Sequence, residues 1–71
     1  MLIDKLKEKQ AVEKLSDEAF ARMLGISRQH WQFIKGGQRK IADKVIRGTL
    51  KQFPDLTKEV LVFLQTNGKM N

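Results

Sequence analysis

The chain has no cysteine and no tyrosine, and its 71 residues include only one histidine, one tryptophan and one proline. Without cysteine the protein can form neither a disulfide bond nor a thiolate metal site, and one histidine cannot build a zinc site alone. A hydrophobic core must therefore hold the fold together. A chain of this length forms one small domain, which buries roughly 60% of the surface that its unfolded form exposes.

Long hydrophobic runs are also missing. The longest extends from Val60 to Leu64, whereas a membrane-spanning helix needs about 20 apolar residues. The N-terminus lacks the cationic segment followed by an apolar one that marks a secretory signal. The single histidine, His30, has no nucleophile or carboxylate beside it, and no glycine-rich phosphate loop is present. We therefore expect a cytoplasmic protein that is not an enzyme and uses no cofactor, metal or membrane.

Acidic residues are scarce in the middle of the chain. The formal net charge is +6, and residues 19–54 carry eight lysines or arginines against a single acid, Asp43. Residues 1–18 carry four lysines against five acids, and residues 55–71 carry two against two. A central basic segment is typical of nucleic-acid binding, because cations attract the phosphate backbone. The alternative is a solvated, lysine-rich surface.

The spacing of the apolar residues predicts an all-α fold, a compact bundle of about five short helices. The predicted helices cover about residues 2–12, a segment that starts after Ser16, about residues 28–35, about residues 42–53, and a segment capped by Thr57. Pro54 ends the fourth helix, since the residue before proline is pushed out of helical geometry. We expect the domain to cover residues 1–65 and the polar tail, residues 66–71, to be disordered.

Gly48 lies inside the predicted fourth helix. A glycine there costs about 1 kcal/mol relative to alanine. Its presence indicates that another element packs closely against the helix at this position.

The segment from Leu15 to Gly37 has the pattern of two short helices joined by a glycine turn. Gly25 stands where the first of them must stop, because glycine adopts the left-handed conformation without a Cβ clash. Ser27 follows as the N-cap of the second. Apolar residues at positions 20, 24, 26, 31 and 34 give each helix one buried side. This is the pattern of a helix-turn-helix, whose second helix enters the major groove of DNA.

The second of these helices has two different sides. Trp31 and Ile34 lie together on one side, and we assign Trp31 to the core rather than to base stacking. The other side carries four candidate base-contacting residues, Arg28, Gln29, Gln32 and Phe33. Arginine can pair with guanine, glutamine with adenine, and phenylalanine can pack on a thymine methyl. The alternative is an ordinary solvated helix.

Several polar and basic residues around this helix are candidates for contacts with the DNA backbone, which would fix its orientation in the groove. They are Ser27, Lys35, Arg39, Lys40 and Lys44. The alternative for the basic residues after the helix is a solubilising loop.

The fifth predicted helix has more apolar residues than one side can hold. A helix can turn Leu56, Val60, Phe63 and Leu64 toward its own domain, which leaves Leu61 and Val62 outside that arc. Two neighbouring exposed apolar residues often mark a partner surface. We expect a homodimer through this helix; the alternative is that the tail covers both side chains or that each is tolerated singly on the surface.

Residues 15–41 resemble the lambda-repressor-like domain that phage Cro and repressor proteins share with the xenobiotic-response-element regulators. The matching residues are Leu15-Ser16, Glu18, Phe20-Ala21, Leu24-Gly25-Ile26-Ser27, Trp31, Ile34 and Gly37, and the resemblance extends over about residues 2–64. It implies a bundle of about five helices that binds operator DNA, commonly as a two-fold dimer. It also implies base contacts at positions 28, 29, 32 and 33 and phosphate contacts at positions 35, 39 and 40. Asp17 stands where family members often carry a glutamine that holds a phosphate.

These patterns together predict a sequence-specific double-stranded DNA-binding transcriptional regulator, a repressor-like protein of a phage or mobile element that occupies an operator. One alternative is an architectural or DNA-processing accessory factor with low sequence specificity. Another is a protein-interaction module that has lost DNA binding, which Asp17 and the apolar residues near the C-terminus would favour.

Overall fold

A computed structural model of the chain describes residues 1–67. In that range the protein is an all-α bundle of five helices, which confirms the predicted fold class. The helices are α1 (Leu2–Glu13), α2 (Asp17–Leu24), α3 (Arg28–Lys35), α4 (Asp43–Gln52) and α5 (Thr57–Asn67), with a 3₁₀ turn (Pro54–Leu56) before α5. Helix α5 extends two residues beyond the predicted domain boundary at residue 65. The rest of the predicted tail, residues 68–71, lies outside the described residues.

The ends of α2 and α3 form as the sequence predicts. Ser16 Oγ accepts a hydrogen bond from the Ala19 N–H at 3.1 Å, and Ser27 Oγ accepts one from the His30 N–H at 3.0 Å. Gly25 ends α2 with a φ of +79°, a left-handed conformation that is strained for residues with a Cβ. These local interactions set the short turn that leads from α2 into α3.

The core is centred on Trp31, which is fully buried. Its ring lies 4.9 Å from the ring of Phe20, centroid to centroid, and Phe20 in turn stacks on Phe53 at 5.8 Å. Leu6 of α1 and Val60 of α5 are also buried. The prediction that Trp31 belongs to the core is confirmed, so one side of α3 is anchored in the centre of the bundle.

Gly48 lets α2 and α4 touch backbone to backbone. A Cβ placed on Gly48 would lie 2.5 Å from the Leu24 carbonyl oxygen and 2.8 Å from the Leu24 Cα. Such distances are shorter than van der Waals contact, so a larger residue would push the two helices apart. The expectation of close packing at this position is confirmed.

The structure corrects two details near the C-terminus. Thr57 does not cap α5: it has helical φ and ψ, and its hydroxyl donates a hydrogen bond to the Pro54 carbonyl at 2.7 Å. The 3₁₀ turn leads straight into α5, so no extended residue is left to act as a cap. Leu64 is 40% exposed rather than turned to the core, because it lies about 100° around the helix from Phe63, which packs against the core. No helix among residues 1–67 is long and apolar enough to cross a bilayer.

Candidate nucleic-acid interface

Helix α3 separates a buried side from an exposed one as the sequence predicts. Trp31 and Ile34 are buried. The opposite side, which we call the α3 outer face, consists of the exposed Arg28, Gln29 and Gln32 and the partly exposed Phe33. The buried side fixes the helix on the bundle, so the outer face presents its side chains from a rigid support.

The loop after α3 is tied to the end of that helix. The N–H groups of Gln38 and Arg39 both donate to the Phe33 carbonyl, at 2.9 and 3.2 Å. One concave surface is formed by Ser27, Gln29, His30, Phe33 and Arg39. Arg39 therefore lies beside the α3 outer face, and its guanidinium has no ion-pair partner among residues 1–67.

Lys40 lies on the other side of this loop. It is exposed and shares a second concave surface with Arg39, Ile41 and residues of α1 and α5. No carboxylate of the described chain forms an ion pair with it. Together, Arg39 and Lys40 leave two uncompensated positive charges next to α3.

Lys35 forms an ion pair that was not predicted from the sequence. Its Nζ lies 2.6 Å from Asp17 Oδ1, and this ion pair is only partly exposed. Gln32 Nε2 donates to the other carboxylate oxygen of Asp17 at 3.3 Å. Lys35 and Gln32 thus connect α3 to the first residue of α2, and Lys35 is less available for a phosphate than Arg39 or Lys40.

Gln10 of α1 completes this polar cluster, and sequence reasoning missed it. Its Nε2 donates to Asp17 Oδ1 at 2.8 Å, and its Oε1 accepts from the Trp31 indole N–H at 3.0 Å. The amide therefore links α1, α2 and α3 at one point. No local signal identifies this role of Gln10, because the two side chains that it joins, Asp17 and Trp31, are seven and 21 residues away in the chain.

The cluster changes the acidity of Asp17. Its pKa is lowered from 3.8 to about 2, first by the hydrogen bond from Gln10 and then by that from Lys35. A carboxylate whose folded-state pKa is depressed stabilises the fold above its unfolded pKa, and the contribution is lost as the pH falls through the folded pKa. Asp17 therefore contributes fully above about pH 4 and ceases to contribute near pH 2.

Asp17→Asn is expected to lower the free energy of unfolding by about 1 to 2 kcal/mol at pH 7, because the charge-assisted bonds are lost from a partly exposed site. The difference from wild type should shrink as the pH falls from 4 to 2. Urea unfolding of the variant and of wild type at several pH values in this range measures the difference in the free energy of unfolding. Glu18→Gln is the matched control: Glu18 is exposed and within residues 1–67 forms an ion pair only with Arg22, at 3.3 Å, so a change below about 0.5 kcal/mol is expected. A pH-independent difference for Asp17→Asn would contradict the assigned role.

Lys44 does not lie with the other candidate phosphate-contacting residues. It is exposed on α4, in a groove formed with the C-terminal turn of α2, and no α3 residue lines this groove. The surfaces that contain Arg39 and Lys40 contain no residue of α4. Lys44 therefore lines a different groove from those that contain Arg39 and Lys40.

Leu61 and Val62, the candidate dimer residues, are 55% and 51% exposed on α5. Val62 lines a groove between the start of α1 and α5, together with Leu2 and Phe63. Leu64 is a third exposed apolar residue of α5, at 40% exposure.

No group of three or more histidine, cysteine, aspartate or glutamate side chains in residues 1–67 is arranged to hold a metal ion. Comparison of the chain with protein-family models, curated proteins and solved structures gave no match.

Proposed function

We propose that this protein is a sequence-specific, double-stranded DNA-binding transcriptional regulator, a repressor-like protein of a phage or mobile element that acts in the cytoplasm by occupying an operator. One observation carries the proposal. Helix α3 is anchored through the buried Trp31 and Ile34, while its outer face carries side chains that suit base edges. Beside it lie the cations Arg39 and Lys40, which have no ion-pair partner among residues 1–67.

In this proposal, contacts with bases and contacts with phosphates have different roles. Arg28, Gln29, Gln32 and Phe33 contact bases in the major groove, where each base pair presents a distinct pattern of donors, acceptors and methyl groups. Arg39 and Lys40 bind phosphates and fix the register of α3. Ser27 can join them, because its hydroxyl accepts from the His30 N–H and still has a hydrogen to donate to a phosphate.

The Asp17–Lys35 ion pair removes one objection to DNA binding. A lone carboxylate at the start of α2 would repel phosphates, which is a reason to consider a protein-interaction module instead. With Lys35 Nζ at 2.6 Å from its carboxylate, Asp17 adds little net negative charge near the α3 outer face. The pair favours the DNA-binding proposal over that alternative.

Selection of bound duplexes from a random pool tests the proposal. A palindromic consensus with half-sites about one helical turn apart would support a regulator that binds as a two-fold dimer. Salt-sensitive binding without an enriched sequence would instead indicate an architectural or accessory factor, since regulators typically bind specific sites about 10³-fold or more tightly than other DNA. If the protein shows no salt-sensitive duplex binding, the proposal is wrong and the interaction-module hypothesis replaces it.

We further propose that Leu61 and Val62 form the centre of a homodimer interface, because neighbouring exposed apolar side chains gain free energy when they are buried together. The double variant Leu61→Lys, Val62→Lys is expected to shift the protein toward monomer in equilibrium sedimentation, and to weaken cooperative binding to paired half-sites. Val12→Lys is the control, because Val12 is an isolated apolar residue, 68% exposed on α1. A wild-type protein that stays monomeric with and without operator would contradict the dimer.

A further inference from the structure

A second basic surface lies on α4, separate from the α3 outer face. Lys44, Arg47 and Lys51 recur at intervals of three and four residues, which places them on one side of the helix, and all three are exposed. Together with Arg22 of α2 they line the groove between α4 and the C-terminal turn of α2. The other residues that line this groove are Met23, Leu24, Gly25, Gly48 and Gln52. We call this surface the α4 groove.

The charges of the α4 groove are largely uncompensated. No carboxylate among residues 1–67 lies within ion-pair distance of Lys44, Arg47 or Lys51, although Asp43 belongs to the same helix. Arg22 is paired with Glu18 at 3.3 Å, and both side chains are largely exposed. Cations three or four residues apart on a helix repel one another. A negatively charged ligand in the groove would be attracted by each of these cations.

The α4 groove and the α3 outer face share no residue and no helix. The groove is lined by residues of α2, α4 and the turn at Gly25, and the surface around Gln29 and Phe33 by residues of α3 and its flanking loops. Helix α2 packs against both α3 and α4. Arg22 at the edge of the groove also lines a surface with Ser27 and Arg28, whereas the groove around Lys44, Arg47 and Lys51 has no α3 residue. A ligand held by these three cations therefore does not have to displace one on the α3 outer face.

The chemistry of the groove favours a phosphate backbone over a protein. Apart from the basic side chains, the groove is lined by Met23, Leu24, Gly25, Gly48 and Gln52; none of these is aromatic, Leu24 is only 1% exposed and Met23 is partly buried. Protein partners usually need apolar or aromatic anchors, whereas phosphates need only suitably placed cations. Lys44 and Lys51 are seven residues apart, roughly 10 Å along the helix. This distance is roughly the rise of three nucleotides along one strand of duplex DNA.

We propose that the α4 groove binds the backbone of a second segment of duplex DNA, so that one molecule can join two duplexes. The proposal rests on the proposed function, since the first segment is the one held by α3. Backbone contacts of this kind are independent of base sequence. The second segment can therefore be any duplex close enough to reach.

A capture experiment tests this bridging. A duplex with the sequence preferred in the selection is immobilised, the protein is added, and retention of a labelled duplex of unrelated sequence is measured. The triple variant Lys44→Gln, Arg47→Gln, Lys51→Gln should reduce retention of the labelled duplex at least about tenfold, because three phosphate contacts are lost. Its affinity for the preferred duplex in solution should change by less than about threefold. The triple variant Lys5→Gln, Lys7→Gln, Lys58→Gln removes the same charge from exposed positions on α1 and α5 and should retain the labelled duplex as wild type does.

Every other outcome of the capture experiment contradicts the bridging proposal or the proposed function. Wild-type retention by the α4 variant would show that bridging arises elsewhere, for example through two α3 faces of a dimer, and would overturn the proposal. An equal loss of affinity for the preferred duplex would mean that the groove contacts the same duplex as α3, which also overturns it. Wild-type binding to the preferred duplex without capture overturns bridging alone, whereas a wild-type protein that binds no duplex overturns the proposed function as well.

Discussion

Trp31→Ala is expected to lower the free energy of unfolding by about 3 to 5 kcal/mol, because a fully buried ring is replaced by a cavity. The ring contacts Phe20 at 4.9 Å, and its indole N–H is bonded to Gln10 Oε1 at 3.0 Å. Without the indole, the Gln10 oxygen loses that donor. A domain of this size has a total stability of about 4 to 11 kcal/mol. The variant should therefore lose a large part of its stability, and its unfolding midpoint in urea should fall accordingly.

Trp31→Phe separates the two parts of this effect. Phenylalanine keeps an aromatic ring against Phe20 but removes the hydrogen bond to Gln10 and leaves a smaller cavity. Its loss of stability should therefore be clearly smaller than that of Trp31→Ala. A Trp31→Ala variant with the wild-type unfolding midpoint would show that Trp31 does not organise the core.

The affinity for duplex DNA is expected to fall steeply with salt. Arg28, Arg39 and Lys40 are exposed and unpaired within residues 1–67, and they displace counterions when they bind phosphates or enter the groove. With about two to three phosphate charges neutralised per subunit, the logarithm of the association constant should fall with the logarithm of salt concentration with a slope of about −1.8 to −2.7. A fourfold increase in salt should thus weaken binding about 12- to 40-fold per subunit.

Fluorescence anisotropy with a labelled duplex measures this slope. Lys40→Ala should reduce its magnitude by about one, since one phosphate contact is removed. Lys58→Ala is the control, because Lys58 is exposed on α5, away from the α3 outer face. A slope near zero for wild type would be incompatible with binding to the DNA backbone.

The helix ends could be predicted from the sequence because they depend on neighbouring residues. Ser16, Gly25 and Ser27 act on groups within five positions along the chain, and the residue types that do so are few. The division of α3 into a buried and an exposed side follows from helical periodicity alone. For the same reason the exposure of Leu61 and Val62 was predictable.

The polar cluster at Asp17 was not predictable, because periodicity shows which side of a helix is buried but not which residue it meets. The Lys35–Asp17 contact spans 18 positions and the Trp31–Gln10 contact spans 21. From sequence, Lys35 is simply one more cation at the end of α3. The role of Thr57 was not predictable for a different reason. A threonine shortly after a proline can either be the N-cap of a helix or lie within a turn that continues into the helix.

The position of Lys44 shows a third limit. The basic side of α4 could be predicted from the spacing of Lys44, Arg47 and Lys51, but its neighbours could not. Gly48 allows α4 to lie directly on the Leu24 backbone, which brings the basic side next to the end of α2 rather than to α3. Periodicity gives the sides of each helix, and only the packing of helices decides which sides adjoin.

The base preferences of Gln29→Ala and Gln32→Ala test most directly whether α3 reads DNA sequence. Gln29 is exposed and its side chain has no hydrogen-bond partner in residues 1–67, whereas the Gln32 side chain donates to Asp17 at 3.3 Å. On the duplex found by selection, each variant is expected to lose about 1 to 3 kcal/mol of binding free energy and to relax the preference at one base pair. Lys40→Ala should weaken binding to all sequences alike. Glutamine variants that bind every sequence more weakly with unchanged preference, together with a Lys40→Ala variant of altered preference, would contradict sequence reading by α3.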